Sequence, residues 1–247
     1  MKPIFASGDG RPIPGAVATQ GQNVRVEFLK KTYLHLAGAI FFFAAVCYAL
    51  MHSEFGKQYF VWAISDQMHW LLVLGLFMAS GWLANKFAYS GASQGLQYVG
   101  LAIEAIGFAF VTLPLLFIAQ IVALQNGMEA NELISQAAVI TLVLFGGLTA
   151  TVFITKKDFT GMGKTLMLLS WVAMGTIVAG ILFGFSLGLW FSAALLALAG
   201  GYVLYYTSAI MRDFPPTYYV AAAMALFSSI ALMFFYVLRI LIALQRD

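Results

Sequence analysis

Residues 165–211 read TLMLLSWVAMGTIVAGILFGFSLGLWFSAALLALAGGYVLYYTSAIM, 47 residues without one acidic or basic side chain. Roughly 20 apolar residues carry an α-helix across the hydrocarbon core of a bilayer. The run is too long for one crossing and right for two, with Gly184-Phe185-Ser186-Leu187-Gly188 as the natural turn between them. Working outward, the same spacing recurs. Residues 32–53, 67–85, 105–128, 133–155 and 214–238 are also free of charge. Together they predict seven membrane-spanning helices, near 32–51, 68–87, 97–121, 135–155, 165–184, 188–210 and 218–242. Transmembrane strands would instead alternate polar and apolar positions over about ten residues; these runs are continuous. The expected fold is all-α and polytopic.

Composition agrees. Of 247 residues, 62% are hydrophobic and 9% charged, against about 45–50% and about 25% in soluble domains. Lipid must be the solvent, which excludes a soluble enzyme and a disordered scaffold. A net charge of +3, thinly spread, excludes a nucleic-acid partner. The single cysteine, Cys47, can form neither an internal disulfide nor a cysteine-rich metal site. Residues 1–27, with Pro3, Pro12, Pro14 and four glycines in a polar setting, read as a flexible cytosolic tail without the apolar core of a signal peptide. Residues 28–247 form the seven-helix domain.

Basic residues set the expected orientation. With the N-terminus inside, Lys2, Arg11, Arg25, Lys30, Lys31, Lys86, Lys156, Lys157, Lys164 and Arg212 fall on the inner side. Only Lys57, Arg239 and Arg246 fall outside, so the C-terminus is expected outside. Enzyme motifs are missing. Gly163-Lys164-Thr165 resembles the end of a phosphate loop, but position 158, where that loop needs glycine, is Asp158. His35, His52 and His69 are not spaced for one metal. No catalytic residue, metal or cofactor is expected.

A charge within the bilayer costs about 2.5–3.5 kcal/mol and marks a functional position. Glu104 stands out, seven residues into the third span from Gln97, roughly 10 Å deep at 1.5 Å per residue. Arg239 fails as its partner, because it lies near the opposite surface. The level of Glu104 is shared by Tyr205, Tyr206, Thr207 and Ser208 late in the sixth span and by Ser228 and Ser229 in the seventh. Glu104, Tyr206, Ser208 and Ser229 are therefore the candidate ion or proton site; the plainer alternative is a protonated Glu104 simply hydrogen-bonded between helices. Pro114 predicts a kink in the third span. Gly180 and Gly184 form a G-x-x-x-G pair that would let a neighbouring helix approach closely or dimerise the chain.

Several segments in order carry a resemblance. They are Ala102-Ile103-Glu104-Ala105 with Pro114-Leu115-Leu116, then Thr155-Lys156-Lys157-Asp158-Phe159 and Leu204-Tyr205-Tyr206-Thr207-Ser208. The last span adds Tyr219-Val220-Ala221-Ala222-Ala223, Ala225-Leu226-Phe227-Ser228-Ser229 and Leu238-Arg239-Ile240-Leu241. Over residues 28–247 the chain resembles the Bax inhibitor-1 family, in particular its bacterial YccA-like branch. The resemblance implies a central C-terminal helix wrapped by six others, in a bacterial inner membrane. It also implies either modulation of membrane-protein quality control and stress response, with a membrane-bound AAA protease as partner, or a pH-dependent leak of calcium or protons. The leak of some relatives rests on two aspartates, at positions matching Tyr206 and Ser229; neither carboxylate is present. Asp213 lies too near the surface to replace them. The reading from residues and resemblance together is a non-enzymatic membrane modulator, with a cation leak through Glu104 as the alternative.

Overall fold

The computed structural model describes residues 14–90 and 93–245. They form eight α-helices and no strand: α1 Gln22–Met51, α2 Glu54–Ser65, α3 Gln67–Ala88, α4 Gln94–Gln125, α5 Glu132–Thr155, α6 Gly163–Phe183, α7 Leu189–Arg212 and α8 Tyr219–Leu244. All but α2 are long and apolar enough to cross a membrane, which makes seven spans. Their ends fall where the charge gaps put them, the widest discrepancy (121 expected, 125 observed) being the end of α4. The exception is the start of α1.

That helix begins at Gln22, inside the stretch expected to be a flexible tail. A Glu27–Lys31 pair one turn apart supports its first turns. Ahead of it the Val17 amide donates to the Phe214 carbonyl at 2.8 Å, and Val17 is buried. Within the stretch expected as a tail, Ala16 and Val17 are thus buried, while residues 21–27 are exposed. Residues 1–13 of that tail, with Lys2 and Arg11, and Arg246 lie outside the described residues.

The bundle has two chemically distinct ends. At one, the Phe159 amide donates to Ser208 Oγ at 3.0 Å and the Tyr89 ring lies 6.5 Å from Phe214, so the linkers after α3, α5 and α7 meet beside the start of α1. This basic end carries Lys86, Lys156, Lys157, Lys164 and Arg212. At the far end Asn126 Nδ2 donates to the Gln245 carbonyl at 3.3 Å, and Arg239 Nη2 donates to the Leu187 carbonyl at 3.1 Å. Gly184 ends α6 with φ +72°, the left-handed turn that glycine adopts without strain.

The C-terminal helix is the core. Buried positions make up 61% of the α8 span but 11% of the α6 span. α8 packs against α1, α3, α4, α5 and α7, whereas α6 leans on α7 and α3. α8 is thus the central helix, as expected, with α6 the most peripheral span. Ala221, Ala222, Ala223 and Ala225 let its neighbours approach. Above them the Phe227 ring sits 5.9 Å from Phe43 and 5.8 Å from Phe108. The outside is as apolar as the inside, with Phe183 80% and Trp190 88% exposed. Such side chains face lipid.

Helix α2 was not expected. Ser53 caps it by accepting the Gly56 amide at 3.0 Å, and Glu54 and Lys57 pair along its first turn. The turn from α1 is so tight that a Cβ on Gly56 would collide with the Leu50 carbonyl. Pro114 explains what α2 does. Proline cannot donate to the carbonyl four residues earlier, and α4 nevertheless runs through it unbroken. That carbonyl, Phe110 O, instead accepts the Tyr59 hydroxyl of α2 at 3.1 Å. A backbone acceptor that lipid would leave unsatisfied is thereby met by a neighbouring side chain.

Candidate functional site

Glu104 is buried on α4 where α3 and α8 press against it, with 6% of the residue exposed. Small residues of α3 make the approach possible: a Cβ on Gly81 would stand 3.7 Å from Glu104 Oε2. One turn further along α4, Gly107 sits against Ser80, where a Cβ would come within 2.6 Å of the hydroxyl. On the opposite side the Ser228 hydroxyl of α8 donates to Glu104 Oε1 at 2.6 Å. The same hydroxyl lies 3.0 Å from the Met224 carbonyl. Glu104 Oε2 has no hydrogen-bond partner among the described residues. One carboxyl thus sits at a junction of three helices, with one oxygen bonded and the other bare.

The remaining expected site residues separate. The Tyr206 ring is stacked on Tyr202 at 5.7 Å and edge-on to Tyr205 at 5.0 Å, both on its own helix. Ser229 turns away and donates to the Ala225 carbonyl of its own helix at 3.0 Å. Ser208 serves the basic end by holding the Phe159 amide. The hydroxyl that reaches Glu104 is Ser228's. Within the chain, Gly180 and Gly184 lie at the end of α6, where a Cβ on Gly184 would stand 3.9 Å from Gln67 of α3. Gly180 faces the chain's own turn, where a Cβ would stand 3.3 Å from the Phe185 carbonyl, and Gly184 is the turn residue itself. Among the described residues no three His, Cys, Asp or Glu side chains cluster to hold a metal.

Beside the Glu104 layer, at the basic end, Asp158 Oδ2 pairs with Arg212 Nη1 at 2.9 Å. Burial works against the charge of Asp158. Hydrogen bonds from the Thr160 hydroxyl and amide, together with Arg212, outweigh it and hold the carboxyl below its ordinary range. Asp213 is the reverse case. Half-burial, and then the charge of Asp158, push it up to about 6 against the pull of Arg212. Two carboxyls that differ this way bracket one arginine where α5, α6 and α7 are joined.

Comparison with known proteins bears on the whole chain. The family model described as inhibitor of apoptosis-promoting Bax1 matches residues 25–247. Protein lifeguard 4 of Mus musculus is 30% identical over 234 residues, covering 93% of this chain and 90% of the mouse protein. Bax inhibitor 1 of Schizosaccharomyces pombe is 26% identical over 244 residues, 94% of this chain and 82% of the yeast protein. An uncharacterised protein of Campylobacter jejuni is 31% identical over 192 residues, 75% of each chain. No solved structure matches. A match from the start of α1 to the last residue, on a helical bundle assembled about its C-terminal span, places this chain in the Bax inhibitor-1 family of multi-pass membrane proteins.

Proposed function

We propose that the protein is a proton-responsive, non-enzymatic membrane protein that leaks cations, with Glu104 as its protonation site. The observation that carries this reading is the half-satisfied carboxyl buried between α4 and α8. With a proton on it, Glu104 can donate to Ser228, which in turn donates to Met224 3.0 Å away. Every hydrogen in that chain then has an acceptor. Without the proton, the single hydrogen of Ser228 must serve either Glu104 or Met224, and the bare Oε2 is left with a charge to share. Ionisation therefore favours a looser seating of α8 on α4, or a cation drawn to Glu104. The basic end would face the cytosol of a bacterium, at its inner membrane, as the excess of lysine and arginine there supports. A reporter fused after residue 247 that is active in the cytoplasm would overturn that orientation.

The test is flux. Proteoliposomes carrying a calcium dye or a proton dye should show a leak that changes between about pH 5 and 8, within reach of a carboxyl shifted by its surroundings. Glu104→Gln should abolish the pH response while the protein still inserts and folds. No flux from the wild type at any pH in this window would sink the leak. The second reading would then stand: a modulator that acts by binding other membrane proteins, such as a membrane-bound AAA protease. It is supported by the absence of carboxylates at Tyr206 and Ser229 and by the name of the yeast relative, an inhibitor. Co-purification from membranes is its measurement.

A further inference from the structure

At the far end of the bundle a cavity of about 470 Å³ opens between α3, α4, α6 and the last turns of α8. We propose that it binds the headgroup of a zwitterionic phospholipid, the phosphate on Arg239 and the ammonium beside Asp66.

The first ground is Arg239. A guanidinium has five N–H donors and cannot be neutralised, yet one hydrogen bond, to the Leu187 carbonyl at 3.1 Å, holds it. Arg239 is half-buried and forms no ion pair among the described residues. The second ground is the charge that shares the cavity. Asp66 lines it as well, at the start of α3, where its Oδ1 accepts the Met68 amide at 2.6 Å. Asp66 is exposed at the rim and Arg239 half-buried, and they form no ion pair with each other. Two opposite charges held apart in one cavity match a ligand that carries both. A purely anionic headgroup would satisfy Arg239 and repel Asp66.

The walls supply the rest. Trp70, Ile118 and Phe235 make the interior apolar, which suits a glycerol and the first methylenes of a chain. Ile64 and Phe185 line the cavity and are also exposed on the outer surface, so the mouth is continuous with the lipid-facing side. The volume falls within the range of about 300–1,000 Å³ usual for ligand pockets. It takes a headgroup and leaves the acyl chains in the bilayer. A phosphate at this level also meets the general need of an arginine near a helix end, which reaches for the interface. None of this depends on Glu104.

The experiment uses the full-length protein in nanodiscs of equal phosphatidylethanolamine and phosphatidylglycerol, released into detergent and read by native mass spectrometry. The wild type should retain phosphatidylethanolamine above its share of the bulk. Arg239→Gln should lower retention about tenfold, as expected for losing a charge-assisted hydrogen bond. Arg239→Lys keeps the cation and should retain lipid, so a variant that merely misfolds is recognised. Asp66→Asn should keep lipid bound but cancel the preference for phosphatidylethanolamine. Three results would overturn the proposal: retained lipid that mirrors the bulk, undiminished retention in Arg239→Gln, or inorganic phosphate that protects the protein from heat as well as the lipid does.

Discussion

Ser228 and Ser229 are neighbours in sequence and differ in kind. Among the described residues Ser228 donates to a buried carboxyl, whereas Ser229 donates to a carbonyl of its own helix. Hydrogen bonds between helices in a membrane contribute about 0.6 kcal/mol on average and up to about 1.7, and an abandoned buried partner adds to the loss. Ser228→Ala should therefore lower stability by about 1–2 kcal/mol in reversible detergent unfolding. In a Glu104→Met background the same change should cost almost nothing. Ser229→Ala should stay within about 0.5 kcal/mol of the wild type. Equal costs at the two serines would contradict the geometry. That Glu104 would be buried within the bundle was legible because it is a single carboxyl within an apolar run. Which serine it meets was not, because depth along a helix says nothing of direction around it, and one residue turns the side chain by about 100°.

Among the elements, α2 and the middle of α4 stand or fall together. Tyr59→Phe leaves the Phe110 carbonyl without a donor and should cost about 1 kcal/mol. Pro114→Ala restores an amide that can reach that carbonyl, so in this background Tyr59→Phe should be nearly silent; additive losses would show that the hydroxyl serves no such purpose. The seven long helices were readable from charge spacing alone, since a run of more than 18 uncharged apolar residues has few other uses. α2 was not readable that way. Its 12 residues include Glu54 and Lys57, too short and too polar for a span. The cap at Ser53 with an acid behind it was the available signal, and it lay inside what looked like a loop. The turn at Gly184 was read correctly for a local reason: it needs only glycine's freedom, not knowledge of what packs nearby.

Over the whole molecule, the basic end should respond to acid. Asp213 holds its proton up to about 6 in the folded chain and to about 3.9 when unfolded. The folded state therefore binds the proton more tightly across that interval, and stability attributable to Asp213 rises as pH falls from 7 to 5. Asp158 contributes no slope there, because its carboxyl stays ionised until well below that range. Unfolding midpoints at pH 5, 6 and 7 should show a smaller acid stabilisation in Asp213→Asn than in the wild type; identical slopes would remove Asp213 from the account. The general architecture followed from composition. The meeting of α3, α4 and α8 at Glu104 did not, because it depends on which helix becomes central. That helix is the seventh span to leave the ribosome. Until it arrives, the six earlier spans stand around an unfilled axis, with Glu104 facing no serine and the alanine-lined seam still open to lipid. Assembly must therefore finish from the inside, by threading the most enclosed segment between partners already resident in the bilayer, and the earlier helices must hold one another loosely enough to admit it.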